Sequence, residues 1–361
     1  MPRKSPFHSR TTELCTSQNW QEWSGYFSAD SYELDHMREY NAVRTTAALF
    51  DVSPLFKYHV RGRDACRLLD RVVTRDVSKC RIGQVLYTVW CDDDGKVIDD
   101  GTLARVADDS YRLTAAMATL DWLEDNALGL EVEIEDVTHD YGALALQGPT
   151  SRGLLQQITN ADLNGLPYFG IVDYELAGTP VRISRTGYTG DLGYEIFLEE
   201  RFAEQVWDAI AETGKAYGLQ PAGSVALDVV RVEAGLLLID VDYVSSARTF
   251  FEVQKSTPYE LGLGFTVRLD KGPFVGREAL REEKMSGPAW ATVGLVVDIL
   301  ALEKVYADYS MPLHFGKNVS EDGHQVARGQ RLVVFDSECD FDFVADECVI
   351  YRCRSIDCNL L

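Results

Sequence analysis

Two adjacent carboxylates, Asp99 and Asp100, close the stretch VLYTVWCDDDGKVIDD. Asp94-Gly95 lies between its apolar runs, a pattern that predicts a β-hairpin. Neighbouring strand residues point to opposite faces, so one carboxylate can face a cavity while the other faces solvent. A carboxylate in a cavity can hold charge or move a proton. The alternative is an acidic pair that only keeps the sheet soluble.

A glycine-rich segment, RTGYTGDLGYE, contains Gly187, Gly190 and Gly193. This spacing predicts a backbone that turns tightly or approaches a ligand closely. The segment lacks the GK[ST] ending of a phosphate loop. Glu195 follows at the start of a predicted strand, where it either meets a ligand or is solvated on an alternating edge strand.

An arginine and a glutamate, Arg231 and Glu233, interrupt the apolar run ALDVVRVEAGLLL. Residues two apart on a helix do not face each other, so we expect separate partners for the two side chains. An arginine in apolar surroundings is costly to bury unless it is paired. Arg231 therefore has either a ligand or a structural ion pair as its partner.

Several reaction classes have no motif in this chain. There is no G-x-S-x-G of a hydrolase and no G-x-G-x-x-G of a dinucleotide site. The histidines are dispersed, and His59 and His139 are interpreted as structural. The last three of the eight cysteines repeat as C-x4-C-x4-C without a nearby histidine, which is not a usual zinc spacing. We therefore expect no metal.

The elements that position these residues are strands mixed with helices, not in strict alternation, which predicts an α+β fold. We expect a large α+β region over residues 1–280 and a smaller β-rich domain over 281–361. Residues 1–30 are polar and aromatic and read as an ordered loop. An amphipathic pattern predicts a helix in DACRLLDRVVTRDV, and another in RFAEQVWDAIAETGKAYGL.

The composition limits the partners. The net charge of the 361 residues is −22 and the pI about 4.6, which argues against nucleic acid and anionic membrane surfaces. A salty habitat is one explanation of this acidity, and ordinary mesophilic acidity is another. The chain has no apolar run long enough to span a bilayer and no apolar stretch after its basic N-terminal residues. We therefore expect a cytoplasmic protein.

Five segments occur in a recognisable order over about residues 40–245: LFDVSPL, GQVLYTVWCDDDGKVIDD, ALALQGPTS, RTGYTGDLGYEIF and LDVVRVEAGLLL. Together they resemble the glycine-cleavage T-protein (aminomethyltransferase) family. The resemblance implies intertwined folate-binding α+β subdomains followed by a C-terminal β-barrel. It also implies that tetrahydrofolate lies in a central channel with its pterin ring deepest.

The resemblance assigns roles to particular residues. Asp100 matches the family's catalytic aspartate, and Glu195 matches the glutamate that binds the pterin. Arg231 matches the family's arginine and is expected to bind the folate, as is Asp100, and Tyr87 and Tyr188 are expected to line the folate channel. A glutamate can accept the amino group and ring N–H of a pterin as a bidentate pair. The implied reaction moves a methyl or aminomethyl-derived carbon from a small donor to tetrahydrofolate.

The chain departs from the glycine-cleavage protein in three places, which indicates a paralogue with another donor. Pro54 stands where that protein usually has histidine. Trp20, Trp23 and Tyr26 form either an aromatic wall for a cationic methylated amine or ordinary core. After GHQVARG the family's pattern is absent. A frameshift, a truncation or divergence would each explain this, and any of them could leave the barrel incomplete.

Two other functions stay open. The first is a folate-binding module without transferase activity. The second is a subunit of a flavin-linked demethylase complex, with a protein partner that carries or oxidises the donor. No flavin motif is visible in the sequence, and the residue types at Asp100, Glu195 and Arg231 favour a transferase.

Overall fold

The computed structural model of the chain describes residues 2–295, 318–319, 325–326, 341–343 and 349–354. Helices and strands are mixed within these ranges, which confirms the predicted α+β class. The α-helices there are α1 His8–Leu14, α2 Met37–Thr45, α3 Ala65–Val72, α4 Leu120–Asn126, α5 Ser151–Gln156, α6 Ala203–Gly214, α7 Ser224–Glu233 and α8 Arg277–Ser286.

The strands fall into two main sheets and three smaller ones. Those before residue 200 are β1 Asn19–Trp23, β2 Tyr26–Ser31, β3 Ala47–Asp51, β4 Phe56–Arg61, β5 Gln84–Cys91, β6 Val97–Ala107, β7 Ser110–Ala115, β8 Glu133–Asp136, β9 Tyr141–Gln147, β10 Ile171–Leu176, β11 Thr179–Ser184 and β12 Gly193–Glu199. The later ones are β13 Leu219–Pro221, β14 Trp290–Leu295, β15 Asn318–Val319, β16 Gln325–Val326, β17 Phe341–Phe343 and β18 Val349–Arg354.

The N-terminal segment is more regular than the loop predicted for residues 1–30. It contains helix α1 and the antiparallel hairpin β1–β2, so that prediction was wrong. Ser24 and Gly25 connect the two strands with φ angles of 46° and 84°. Positive φ at both central residues is the conformation of a type I′ hairpin turn. Because the two strands are largely polar, the sequence did not indicate this turn.

The aromatic residues of this segment are used for packing. Tyr26 is buried, and its hydroxyl lies 2.5 Å from Nδ1 of His139. Trp20 packs against a buried cluster that includes Tyr32, and Trp23 packs against a cluster that includes Phe50. Trp20 and Trp23 are partly buried and His139 is exposed. The contacts favour the interpretation of the aromatic residues as core and that of His139 as structural.

A five-stranded antiparallel sheet has the strand order β5-β6-β7-β4-β8. The predicted hairpin joins β5 to β6, and Gly95 in its turn has a φ of 73°. Helices α3 and α4 cover one face of the sheet. The buried side chains of that face include Leu68, Leu69, Val72, Leu103, Leu113 and Leu123.

A six-stranded sheet has the order β10-β11-β12-β9-β3-β13, with β13 parallel to β3 and the other neighbours antiparallel. Helices α5 and α6 cover one face. The amphipathic pattern of α6 puts Val206, Trp207 and Ile210 into that core. They lie in one buried cluster with Leu146 and Ile196 of the sheet.

The faces opposite these two cores carry the chemistry-bearing residues, because side chains alternate along a strand. On the five-stranded sheet these residues are Lys57, His59, Asp100 and Arg112, and on β12 they are Glu195 and Phe197. The Arg112 guanidinium carbon lies 3.5 Å from the centre of the Phe197 ring, so the two faces meet. We call the space between them the inter-sheet gap.

The C-terminal part contributes only short described pieces. Strand β14 begins at Trp290, within the region 281–361 that was predicted to be rich in strands. The boundary between 1–280 and 281–361 falls inside α8, and most of the second part lies outside the described residues. The predicted β-barrel and the terminal cysteine side chains lie there too, so these stay predictions. No helix of the described ranges has the length and apolar character needed to cross a membrane.

Candidate active site

Asp100 lies on β6 with its side chain in the inter-sheet gap, where it is partly exposed. The hydroxyl of Tyr87 donates a hydrogen bond of 2.8 Å to Oδ2, and the hydroxyl of Tyr243 donates to Oδ1. Tyr87 is on the neighbouring strand β5, while Tyr243 follows helix α7 in an irregular segment. Each carboxylate oxygen is therefore held by one phenol.

Burial raises the pKa of the Asp100 carboxyl above its usual range, and the two phenol donors oppose that shift. Burial also raises the pKa values of Tyr87 and Tyr243 well above 10, with the charge of Asp100 adding to the effect. Both phenols therefore stay protonated donors at neutral pH. The two phenols therefore fix the position of the Asp100 carboxylate and lower its pKa from the value that burial alone would give.

Asp99 points the other way and is fully buried. It accepts the backbone N–H of Met117 and that of Asp100, each at 2.8 Å. Burial raises its pKa well above the usual range, and the charge of Asp100 adds to this. The expectation that the second carboxylate faces solvent was wrong. Asp99 instead fastens the start of the segment after β7 to β6.

Glu195 lies on β12 and is partly exposed in the inter-sheet gap. It accepts a hydrogen bond from the hydroxyl of Thr186. Burial raises its pKa, while Thr186 and the positive charge of Arg112 oppose the shift. Because Arg112 pairs with Ala104 across β6–β7, it stands four residues, roughly 13 Å, along the sheet from Asp100. Because Glu195 interacts with Arg112, Glu195 and Asp100 lie at separate places along one gap.

The glycines before Glu195 make room for a protein side chain. A Cβ on Gly187 would lie 2.0 Å from Oε1 of Gln147, and one on Gly193 would lie 2.1 Å from the same atom. Gln147 in turn donates to the Thr186 carbonyl at 3.3 Å and accepts from the Thr189 hydroxyl at 3.0 Å. The predicted close approach is real, but the partner is Gln147. It holds the loop that precedes Glu195.

Tyr188 comes from this same loop and is half-buried. Its hydroxyl donates to the backbone carbonyl of Leu237. Burial raises its pKa, the nearby charge of Asp100 adds to the rise, and that of Arg231 opposes it. Tyr188 thus lies in the electrostatic neighbourhood of both residues, on the Asp100 side of the gap.

Arg231 is buried, with 1% of its surface exposed. Its guanidinium donates to Asp228 at 2.7 and 2.9 Å, to the Leu236 carbonyl at 3.1 Å, and to Asp242. Asp242 also accepts the backbone N–H of Leu238 at 2.7 Å. The arginine therefore fastens the segment that ends in Tyr243.

Glu233, two residues further on, binds different groups: Arg44, and the Tyr40 hydroxyl at 2.9 Å. The two charged residues of this helix have separate partners, as predicted. The structure thus brings Tyr87 and Asp100 into contact and places Tyr188 nearby. Glu195 stands further along the gap, and Arg231 lies behind the site, bound to protein groups.

Two residues of the gap were missed from the sequence. Tyr243 lies in the segment VDYVSS, which has no periodic pattern or motif. Arg112 lies in the strand SYRLTAA, where its position opposite the core face indicates only an outward side chain. The contacts that make both residues notable come from distant strands, which no local signal reports.

Comparison with known proteins identifies the family. A family model described as the GCVT N-terminal domain matches residues 9–271. The aminomethyltransferase of Thermoanaerobacter sp. (strain X514) is 39% identical over 261 residues, which are 71% of this chain and 68% of that protein. The chain belongs to the glycine-cleavage T-protein (aminomethyltransferase) family. Membership makes it a one-carbon-group transferase and confirms the resemblance found in the sequence.

Other relatives of this aminomethyltransferase family member are more diverse. The trimethylamine-oxide aldolase of Ruegeria pomeroyi (strain ATCC 700808 / DSM 15171 / DSS-3) is 35% identical over 312 residues. Those residues are 82% of this chain but 38% of the aldolase. The crystal structure of glycine cleavage system aminomethyltransferase T from Bartonella henselae superposes with a TM-score of 0.76 at 22% identity. It covers 98% of this chain and 90% of its own, so the fold is shared.

Proposed function

We propose that the chain transfers a one-carbon group, methyl or aminomethyl-derived, from a small methylated or aminomethyl donor to tetrahydrofolate. The observation that carries the proposal is the Asp100 carboxylate, partly exposed and held by the phenols of Tyr87 and Tyr243. Family membership supplies the reaction class. The gap between the two sheets supplies a place where folate and donor can meet.

The residues of the gap fit a reduced pterin. Glu195 accepts one hydrogen bond, from Thr186, and a carboxylate offers about four acceptor sites. Acceptor positions therefore remain for the neighbouring amino and ring N–H groups of a pterin, as a bidentate pair. Asp100 lies further along the same gap, and in this proposal the folate nitrogen that receives the carbon lies beside it.

Tetrahydrofolate supplies the nucleophilic nitrogen that accepts the one-carbon group. The role of Asp100 is to hold positive charge or to take the proton from that nitrogen while the bond forms. Tyr87 and Tyr243 fix the carboxylate, and Tyr188 lines the gap beside it. We assign Arg231 a positioning role through Asp242, in place of the direct folate contact predicted from the sequence.

The donor class follows from the relatives and from the departures in the sequence. The relatives are named aminomethyltransferases and a trimethylamine-oxide aldolase. Pro54 stands where the glycine-cleavage protein usually has histidine. We therefore favour a methylated amine as donor. The aldolase extends well beyond its match to this chain, which supports a second protein that carries or oxidises the donor.

The experiment uses Asp100→Asn and Glu195→Gln with the full-length chain. Tetrahydrofolate is mixed with methylated amine, sulfonium and methoxy donors, and the one-carbon folate product is measured by chromatography. Asp100→Asn should lower the transfer rate by about 10²–10⁴ and change folate affinity only a few-fold. Glu195→Gln should instead weaken calorimetric binding of a stable reduced folate at least tenfold.

Glu175→Gln is the matched control, because Glu175 is an exposed carboxylate on β10. It should leave both measurements unchanged. Full turnover by Asp100→Asn would sink the proposed mechanism. Tight folate binding without transfer from any donor would favour the non-catalytic binding module.

A further inference from the structure

A second feature of the inter-sheet gap has no place in the proposed reaction. It is a cavity of about 200 Å³ between β4, β7 and the strands β10–β12. The titratable side chains that line it include Lys57, His59, Arg112, Tyr141, Asp173, Arg182 and Glu199. Four of these seven are basic, in a chain whose net charge is −22. Glu199 is exposed and pairs with Arg201. Glu195 and Asp100 do not line it.

Arg112 forms the inner wall of this basic cavity and is 6% exposed. The Phe197 ring covers one face of its guanidinium at 3.5 Å. Its Nε is buried without a hydrogen-bond partner, and the guanidinium makes no ion pair within the described part of the chain. Burial lowers the pKa of Arg112 to about 9, and the charge of Arg182 adds to this, while Glu195 and Asp173 oppose it.

Lys57 is fully buried beside it. Its ammonium donates to the carbonyls of Ser53 and Leu55 at 2.8 and 2.7 Å. No carboxylate of the described residues forms an ion pair with it. Burial lowers the pKa of Lys57 to about 7, and Arg112 adds to the shift, while Asp51 and Asp136 oppose it.

The mouth of the cavity is better balanced. Arg182 forms a two-point pair with Asp173 at 2.5 and 2.9 Å. His59 is half-buried, and burial together with the charges of Arg61 and Arg112 lowers its pKa to about 4. His59 is therefore neutral at pH 7. At pH 7 the positive charge that has no ion pair in the described residues therefore lies on Arg112 and on the protonated fraction of Lys57, in the interior.

An unpaired buried cation is costly, and a cavity with low-dielectric walls concentrates its field. A guanidinium that is stacked on one face keeps its N–H edge free for a planar or tetrahedral oxyanion. We propose that the basic cavity is a binding site for a small organic oxyanion, carboxylate or phosphate, with Arg112 as its main ligand. Lys57 supports the anion from the floor, and the Arg182–Asp173 pair frames the entrance.

This inference does not depend on the folate reaction, and its test needs no turnover. Calorimetry on the full-length chain in a low-chloride buffer uses three probes: succinate, inorganic phosphate and neutral succinamide. Succinate or phosphate should bind the wild-type chain, and succinamide should not. Whichever of the two anions binds more tightly identifies the ligand class.

Arg112→Gln should weaken that binding at least tenfold, and Arg63→Gln should leave it unchanged. Arg63 is the matched control because it is exposed and pairs with Glu131 outside the cavity. Arg112→Lys keeps the charge but loses the fork, so it should weaken binding less. Arg112→Lys tests the proposal if Arg112→Gln does not fold.

The thermal stability of Arg112→Gln without ligand should equal or exceed that of the wild-type chain, because a buried charge is removed. The anion that binds should raise the melting temperature of the wild type and not that of Arg112→Gln. The proposal fails if neither anion binds, if binding survives Arg112→Gln, or if a saturating reduced folate displaces the anion. The last result would place the anion in the folate site.

Discussion

Two charged residues of the inter-sheet gap have different surroundings, and we call their positions the acid station (Asp100) and the basic station (Arg112). Asp100 is an acid held by two neutral donors, the phenols of Tyr87 and Tyr243. Arg112 is a base with an aromatic ring on one face and no acceptor on its edge within the described residues. The protein itself supplies the hydrogen-bond donors of Asp100, whereas Arg112 forms no ion pair in the described residues.

Because the two positions differ in charge and in support, one gap can bind two ligands. Neutral donors fix a carboxylate without neutralising it, so Asp100 keeps its capacity to accept a proton. A buried cation without an acceptor gains most from an external anion, because the cost of removing its water has already been met by folding. We therefore expect different changes in stability when a buried cation that is paired is removed and when one that is unpaired is removed.

The largest expected effect concerns Arg231, which is as buried as Arg112 but fully paired. Arg231→Met leaves Asp242 buried without its counter-charge, so we expect the free energy of unfolding in urea to fall by about 3–5 kcal/mol. Arg112→Met should lower it by less than about 1 kcal/mol or raise it. Equal losses in the two variants would break the comparison.

The double variant Arg231→Met/Asp242→Asn is the control for this prediction. It removes both charges of the pair, so it should recover part of the loss. Turnover should stay reduced in both variants, because the segment that carries Tyr243 is no longer fastened. If the double variant loses more free energy of unfolding than the two single variants together, Arg231 has a different structural role.

A smaller effect is expected from Lys57→Met, and it depends on pH. The pKa of Lys57 falls from 10.5 in the unfolded chain to about 7 in the folded one. Between these values the unfolded chain binds more protons, so the stability of the wild type rises with pH across this window. The rise is at most about 1.4 kcal/mol for each pH unit. Lys57→Met should lose this rise.

Urea unfolding from pH 6.5 to 9.5 measures the difference between wild type and variant. Lys79→Met, which removes an exposed lysine, should keep the pH dependence of the wild type. Saturating succinate should flatten the dependence in the wild type, since it favours the charged form of Lys57. A difference between wild type and Lys57→Met that is independent of pH would mean that Lys57 stays charged in the fold.

The sequence predicted those parts of the site that depend on local signals. Asp94-Gly95 marked the hairpin, and alternation along the following strand separated Asp99 from Asp100. The family segments then supplied Glu195 and Tyr188. The structure placed all of these on or beside the gap, because strand alternation fixes which side chains share a face.

The remainder depends on contacts between distant segments. Tyr243 meets Asp100 across 143 positions of sequence, and the register of β6 with β7 alone decides that Arg112 shares a face with Asp100. The glycines near Tyr188 predicted either a tight turn or a close approach to a ligand, whereas Gln147 from β9 occupies the space beside Gly187 and Gly193. Register and long-range packing are not encoded in any short window, so these features required the structure.

The smallest expected effect tests the acid station directly. Tyr243→Phe removes one donor from Asp100, so the carboxylate loses stabilisation and its pKa rises. The acidic limb of the kcat/KM profile should therefore move to higher pH by about 1 unit, or about 1.4 kcal/mol. Tyr194→Phe makes the same chemical change in the core of the six-stranded sheet and should leave the limb in place. An unmoved limb in Tyr243→Phe would show that Tyr243 only packs, and that Tyr87 alone tunes the carboxylate.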